Sequence, residues 1–280
     1  MRGIGYRWFP QLMFLARYVG YFGRLPNLVR PRTFTDKLLL RLLFDRDPRL
    51  TFFADKVAVR DYVSERLGGT EHLTALYAVV DDPSTIRDLE LPSAFAMKPN
   101  HLSGAVKLVT DASSVERAQL EALAAGWLRR NYFHETGEWA YRDIRPRVMF
   151  EELLDPGGMP VDYKFHCFNG EPRYLSLISG RFSGGPLMID IHDMAFGLVP
   201  ARFADEPPSS PQRTTPPPNW GHMVEIARAL ARGTEFIRVD LYNIDGRIVF
   251  GELTNYPGSG LLKFIPPVWD RTYGDYWRRQ

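Results

Sequence analysis

The chain has 280 residues, enough for about two domains or one large domain built from sub-lobes. Its composition, 45% hydrophobic and 24% charged, is that of a folded globular protein. With 35 basic against 33 acidic residues the formal net charge is only +2, so no general electrostatic case for nucleic acid or an anionic membrane arises. The single cysteine, Cys167, excludes an internal disulfide and fits a reducing compartment, so a cytoplasmic location is expected.

Trp8 to Phe22 is rich in large apolar residues, but Arg17 interrupts it. The stretch is too short to span a bilayer, and no small-residue cleavage site follows. It predicts an amphipathic helix packed on the body, with a peripheral membrane contact as the alternative. From Arg32 to Leu67 the pattern is helical. Thr33 or Thr35 is the cap, Leu38, Leu39, Leu42 and Leu43 stand at helical spacing, and a second helix begins near Asp55 and stops at Gly68-Gly69.

Ala94 to Lys98 and Val106 to Val109 predict two strands joined by a Gly/Ser-containing loop, a hairpin. Ser114 to Asn131 predicts an amphipathic helix burying Val115, Leu120, Leu123 and Trp127. Arg147 to Leu154 reads as a strand ending in the turn Asp155-Pro156-Gly157-Gly158. Asp162 to Phe168 and Arg173 to Ser179 are strands around the hairpin turn Asn169-Gly170. Asp205 to Asn219, rich in proline, serine and threonine, predicts an irregular surface loop. Met223 to Arg232 is a helix, and Glu235 to Leu253 a hairpin around Asn243 to Gly246. Helices mixed with mostly antiparallel strands make the fold class α+β, with no internal repeat and nothing of a doubly wound dinucleotide fold.

The last hairpin carries the most chemistry. Strand alternation puts Arg238, Asp240 and Tyr242 on one face and Ile237, Val239 and Leu241 on the other. A three-residue loop, Ile244-Asp245-Gly246, sets Ile237 opposite Leu253, Val239 opposite Gly251 and Leu241 opposite Val249. That register makes one face wholly apolar and brings Glu252 opposite Arg238 on the polar face. A two-residue loop would move Glu252 among the hydrophobics, so burial favours the longer one. Two convergent carboxylates beside Thr254 or Asn255 are hard oxygen ligands suited to Mg²⁺ bound with phosphates. The competing reading, a surface hairpin with a cross-strand ion pair, has about even odds on this segment alone.

Lys98-Pro99-Asn100-His101-Leu102-Ser103-Gly104 places a lysine at a strand end before a flexible loop able to fold over phosphates. It lacks the Gly-Lys-Ser/Thr pattern of a P-loop, and an ordinary hairpin with an exposed lysine is about twice as common. Glu151-Glu152 before a turn is more often simply solvated. The six histidines show no zinc-site spacing. Cys167 reads as a packed small residue, and Ser183-Gly184-Gly185 lacks the strand–nucleophile–helix pattern of hydrolases.

Taken in order, the segments resemble the ATP-grasp superfamily and, within it, the TupA-like family of teichuronopeptide and polysaccharide biosynthesis. The resemblance runs from about Arg30 to Asp270. It rests on Pro31 to Leu38, Asp55-Lys56 with Val59 to Val63, Lys98 to Gly104, Asp162 to Phe165, Phe168 to Pro172, Arg238 to Asp240, and Gly251 to Thr254 leading to Pro257-Gly258-Ser259-Gly260.

It implies an ATP-grasp fold holding nucleotide between two α+β lobes. The expected division is residues 1–90, largely helical; 91–155, a small lobe with the phosphate loop and adenine hinge; and 156–280, a C-terminal lobe with the metal site. The resemblance assigns Lys56 and Lys98 to the phosphates, Ser103 and Gly104 to the closing loop, and Glu151, Glu152 and Leu153 to the adenine hinge. It gives Asp162 to the ribose, and Asp240, Glu252 and Thr254 to Mg²⁺. Arg238 and the backbone near Gly258 stabilise an acyl-phosphate, and Lys164 contacts phosphate or substrate. Two departures stand out. The usual asparagine two positions after the glutamate is Thr254 here, with Asn255 one step later, and Leu102 replaces a loop glycine.

The implied activity is an ADP-forming carboxylate–amine ligase using ATP and Mg²⁺. A uronic acid or amino acid is the donor and an amine or hydroxyl the acceptor, with no nucleic-acid partner. The alternatives are a phosphotransferase acting on a sugar hydroxyl and a non-catalytic nucleotide-binding scaffold.

Overall fold

A computed structural model describes residues 9–154, 161–180, 187–205, 207 and 214–278. Trp8, the turn expected at residues 155–158, Ser183 to Gly185 and much of the loop expected at 205–219 lie outside them.

Helix α1 (Pro10–Phe22) starts with proline in its first turn and stops at Gly23, whose φ of 67° gives the left-handed cap. It buries Phe14 and Tyr18, one turn apart, and leaves Phe9 and Leu12 exposed. The Tyr18 hydroxyl donates to Asp36 at 2.5 Å, pinning α1 to α2 (Phe34–Phe44). Thr33 caps α2 by accepting from the Asp36 amide at 3.2 Å, and Leu38, Leu39, Leu42 and Leu43 are buried. The helical stretch then divides once more than its periodicity predicts. Asp47 and Pro48 start a separate helix, α3 (Pro48–Ala54), before α4 (Val59–Leu67), which ends at left-handed Gly68. Among the described residues no helix is long and apolar enough to cross a membrane.

The first sheet has four antiparallel strands in the order β1 (Leu76–Val80), β4 (Val148–Glu151), β2 (Phe95–Pro99), β3 (Lys107–Val109). β2 and β3 form the expected hairpin, whereas β1 joins from before residue 90. Helix α5 (Arg117–Leu128) covers this sheet, with Leu120, Ala124 and Trp127 packed into the core of Phe95, Met97, Val148 and Phe150.

The second sheet has five antiparallel strands in the order β10 (Arg247–Thr254), β9 (Phe236–Ile244), β5 (Asp162–Phe168), β6 (Glu171–Ser179), β7 (Met188–Asp193). Asn169 and Gly170, at φ 50° and 82°, make the tight turn between β5 and β6. The short helix α6 (Tyr132–Thr136) is followed by α7 (Trp220–Ala231), and one face of the sheet carries Phe165, Cys167, Ile237, Val239 and Leu241 beneath Met223, Ile226, Ala227 and Leu230 of α7. The opposite face is divided along its length. At the Phe168 and Phe236 end it is apolar and roofed by α2 and α8 (Val268–Tyr276); at the Asp162 and Tyr242 end it is polar. The charge of Glu252, at that polar half, reaches Lys56, as do those of Lys98 and Glu151 of the first sheet. A two-stranded sheet, β8 (Arg202–Phe203) with β11 (Phe264–Ile265), completes the fold.

The β9–β10 register differs from the expected one. Ile244 pairs with Arg247, so the loop is the two-residue Asp245-Gly246, at φ 51° and 91°. Leu241 pairs with Phe250, and Val249 pairs with Tyr242 and so leaves the apolar face it was assigned to. A bulge at Gly251 then shifts the ladder by one residue, and Glu252 pairs with Asp240, Leu253 with Val239 and Thr254 with Arg238. The bulge needs glycine, because a Cβ there would lie 3.0 Å from the Tyr242 ring and 3.1 Å from the Asp240 carbonyl oxygen. The three-residue loop is therefore incorrect. The bulge restores Glu252 to the polar face by another route.

Candidate active site between the two sheets

On the second sheet, strand pairing sets Lys164 beside Asp240 and Asp162 beside Tyr242. Arg238 grips both Asp240 oxygens at 2.7 Å, reaches Glu252 at 3.0 Å and donates to the Thr254 hydroxyl at 2.9 Å. The Thr254 hydroxyl in turn donates to Glu252 at 2.8 Å. Lys164 donates to Asp240 at 2.5 Å and lies 3.7 Å from Asp162, and burial followed by the charge of Asp162 raises the Tyr242 hydroxyl. Burial alone would raise the Asp240 carboxyl, but Arg238 and Lys164 outweigh it and hold it below the usual carboxylate range. Burial and the charges of Arg238 and Lys164 hold His166, next along β5, at about 3, so it is neutral.

On the facing sheet, Lys98 is paired with Glu151. The same carboxylate accepts from Thr74 at 2.6 Å and lies 3.7 Å from Arg60. Lys56 donates to the Leu102 carbonyl at 2.6 Å. Burial lowers its ammonium, against the opposing pull of Glu252, while Lys98 lowers it further and Asp55 and Glu151 raise it. Lys56 thus shares one electrostatic neighbourhood with Glu252 of one sheet and with Lys98 and Glu151 of the other.

The loop after Lys98 is less free than its composition suggests. Asn100, His101 and Leu102 are all buried. The Asn100 side chain donates to Asp55 at 2.9 Å and accepts from the Arg147 amide at 2.7 Å. Leu102 sits in the core beneath β2, where a glycine would leave a void. Ser103 and Gly104, the latter at φ 73°, are exposed, as is Val106 just before β3.

Of the hinge residues, Glu151 faces Lys98, and Leu153 is buried. Glu152 turns the other way: its carboxylate bonds Arg247 at 2.5 and 2.9 Å and its amide donates to Ala75, tying the two sheets together. Thr254 stands with the carboxylates, whereas Asn255 is buried on the far side and donates to the Leu50 carbonyl at 2.7 Å. Gly258, Ser259 and Gly260 take three successive left-handed conformations, at φ 58°, 51° and 82°. Within that turn the Ser259 amide donates to Tyr256 and the Leu261 amide to Gly258.

Three residues near the site, Thr74, Arg60 and Glu138, carry no sequence signal of their own. Thr74 and Arg60 hold Glu151. Glu138 is buried and accepts from the Ser259 hydroxyl at 2.7 Å. Arg60 alone falls inside a segment that carries the family resemblance.

Asp240, Glu252 and Thr254 offer hard oxygen atoms that fit Mg²⁺. Among the described residues no group of three or more His, Cys, Asp or Glu side chains gathers. Mg²⁺ is usually held by one or two carboxylates and completed by phosphate oxygens, which is what Asp240 and Glu252 can offer. The Glu252 side chain is 41% exposed toward solvent and so open to such a bridge.

Two antiparallel sheets, whose lysines and carboxylates share one electrostatic neighbourhood around Lys56, form the ATP-grasp architecture. More narrowly, the chain belongs to the TupA-like ATPgrasp family, which it matches over residues 36–278. No curated protein matches it. Among solved structures, the ATP-grasp ligase PsnB complexed with a minimal precursor is similar at 15% identity and a TM-score of 0.40, over 74% of this chain and 54% of that one. The D-alanine–D-alanine ligase of Bacillus anthracis is similar at 14% identity and 0.42, over 81% and 65%. That of Helicobacter pylori is similar at 13% and 0.44, over 82% and 60%. The chain thus spans just over half the length of the first of these proteins.

Proposed function

We propose that the chain is an ATP- and Mg²⁺-dependent carboxylate–amine ligase that forms an acyl-phosphate and releases ADP and phosphate. The observation that carries this reading is the arrangement of Arg238, Asp240, Glu252 and Thr254 opposite Lys56 and Lys98. A scaffold needs no such set.

In this reading the two lysines neutralise the triphosphate, with Ser103 and Gly104 closing over it. Glu151 holds Lys98 in an ion pair, and the backbone from Glu151 through Leu153 reads the adenine edge. Asp162, 3.7 Å from Lys164, would take the ribose hydroxyls. Asp240, Glu252 and Thr254 would hold Mg²⁺. That ion, when bound, would supply charge neutralisation on the phosphates. Arg238 and the turn at Gly258 are donors for the charge that develops on the acyl-phosphate, where fixed donors lower a barrier most. Lys164, paired with Asp240 here, would contact phosphate or substrate.

The donor is a uronic acid or an amino acid, and the product a cell-surface polysaccharide or peptide-glycan precursor made in the cytoplasm; family membership supports this part. The division at about residues 90 and 155 belongs to the same proposal, with β1 lent by the first part to the small sheet.

The test is mass spectrometry of products after incubation with Mg-ATP and pooled amino acids and uronic acids. ADP with a new amide is expected. A phosphoester without amide would replace the ligase reading with a sugar phosphotransferase.

A further inference from the structure

Glu138 lies in the connection between α6 and β4 and belongs to none of the groups assigned above. It is 5% exposed, yet its carboxylate makes a single hydrogen bond among the described residues, from the Ser259 hydroxyl. Buried carboxylates are ordinarily better satisfied. Ser259 is held for this contact at some cost, since its φ of 51° is a left-handed conformation that residues with a Cβ rarely adopt. The flanking glycines fix the turn in place: a Cβ on Gly260 would meet Leu42 of α2 at 2.6 Å, and one on Gly258 would meet Leu262 at 2.7 Å.

A second buried polar group, electrostatically close to Glu138, is unsatisfied. The Tyr256 hydroxyl is buried without a hydrogen-bond partner among the described residues, and after burial Glu138 is the charge it feels most. The surroundings reach the proposed nucleotide site. Glu252 of β10 lies close enough for its charge to act on Glu138. Tyr132, whose ring is 4.7 Å from that of Tyr141, is raised by burial and then by the charge of Glu138. Arg17 of α1 contributes the one cationic influence on Glu138.

We infer that Glu138 is the base that accepts a proton from the acceptor amine, in a subsite where Ser259 orients the carboxylate and Tyr256 offers a second polar contact. The inference rests on the ligase reading above. An ammonium group entering the subsite pairs with Glu138 and gives up one proton to it. The neutral amine then attacks the acyl-phosphate carbon. The C–N bond forms, and the C–O bond to phosphate breaks with its electron pair going to the leaving phosphate, which takes the second N–H proton. Glu138 returns its own proton to solvent.

Charge balance supports the role. Burial pushes the Glu138 carboxyl up, Ser259 and Arg17 draw it down, Glu252 raises it again, and it settles at about 7. A base near neutral pH works best in that range. Tyr132, Tyr141 and Tyr256 all lie well on the protonated side, raised chiefly by burial.

The experiment compares two reactions of the full chain with Mg-ATP and the pooled carboxylates. Hydroxylamine, a neutral nucleophile near pH 7, traps acyl-phosphate as hydroxamate without needing the base; pooled amino acids as acceptors give amide. Glu138→Gln should keep hydroxamate formation while amide formation falls by about 10²–10⁴-fold, the usual contribution of a general base. Ser259→Ala, which removes the bond favouring the ionised carboxylate, should move the acidic limb of the amide rate to higher pH. Equal loss of both products in Glu138→Gln, or an unshifted profile in Ser259→Ala, would overturn the assignment. If the unaltered chain yields no hydroxamate from any carboxylate, the ligase reading fails and takes this one with it.

Discussion

Replacing Glu138 with glutamine should make the protein more stable, and increasingly so as pH rises. The carboxyl titrates at about 7 in the folded chain against 4.5 for the unperturbed group, burial being the main cause. The sign follows directly. Between these two values the unfolded chain has released its proton while the folded chain retains it, so the folded state binds more protons and stability falls with rising pH. Glutamine has nearly the same shape as the protonated acid and can still accept from Ser259, yet it does not titrate. The other carboxylates titrate in both proteins and cancel. A shift from 4.5 to about 7, at about 1.4 kcal/mol per unit, amounts to roughly 3 kcal/mol. Urea denaturation at pH 5, 6, 7 and 8 should show the advantage of Glu138→Gln growing by roughly 2–3 kcal/mol across the range, with an unchanged slope in urea. A difference that stays flat from pH 5 to pH 8, or a variant less stable at pH 8, would show that Glu138 is either solvated or fully paired.

Asp240→Asn should behave in the opposite way, because it leaves Arg238 and Lys164 facing each other without the carboxylate they share. Removing one partner of a buried pair costs about 3–5 kcal/mol, with Glu252 and Asp162 placing this case at the lower end; ADP release should fall with it, and turnover equal to that of the unaltered chain would remove the proposed metal site. Gly251→Ala should cost about 1–3 kcal/mol by forcing the bulge against Tyr242 and the Asp240 carbonyl, with a further fall in ADP release as Glu252 is displaced. Gly20→Ala in α1, where an added Cβ meets nothing within 4 Å, is the control and should be neutral or gain up to about 1 kcal/mol in urea titrations. Lys98→Met should raise the KM for ATP and lower stability by about 1–3 kcal/mol, because Glu151 is left buried with only Thr74 and Arg60 as partners.

Much of the local structure was legible because local rules act within a few residues. The leucine spacing and Thr33 defined α2, Gly68 ended α4, and Asn169-Gly170 marked a tight turn that takes the positive φ pair expected of it. Cys167 is buried, and burial pushes its thiol up, in keeping with a packed residue. Strand β1 was missed because Leu76-Tyr77-Ala78-Val79-Val80 is half-exposed and becomes a strand only through pairing with β4. The partners of Glu151 and of Glu138 were illegible for a related reason. Thr74 lies 77 positions from Glu151, and Ser259 lies 121 positions from Glu138, so no spacing rule connects either pair.

The β9–β10 hairpin shows how a correct conclusion can rest on an incorrect register. Alternation requires only that Glu252 escape the apolar face, and two devices achieve that: an extra residue in the loop, or an extra residue in the strand. The local sequence favours the second once each glycine is given its own task. Gly246 follows Asp245 as the second residue of a two-residue turn, with both at positive φ. Gly251 has ordinary φ, and its need for a missing Cβ comes from Tyr242 and the Asp240 backbone across the ladder. Only the second demand is non-local, which is why the sequence shows that a shift must occur but not where. Placing the shift at Gly251 rather than in the loop has a consequence for the site. It sets Glu252 directly across from Asp240 and Thr254 across from Arg238, so that one guanidinium reaches two carboxylates and a hydroxyl at once.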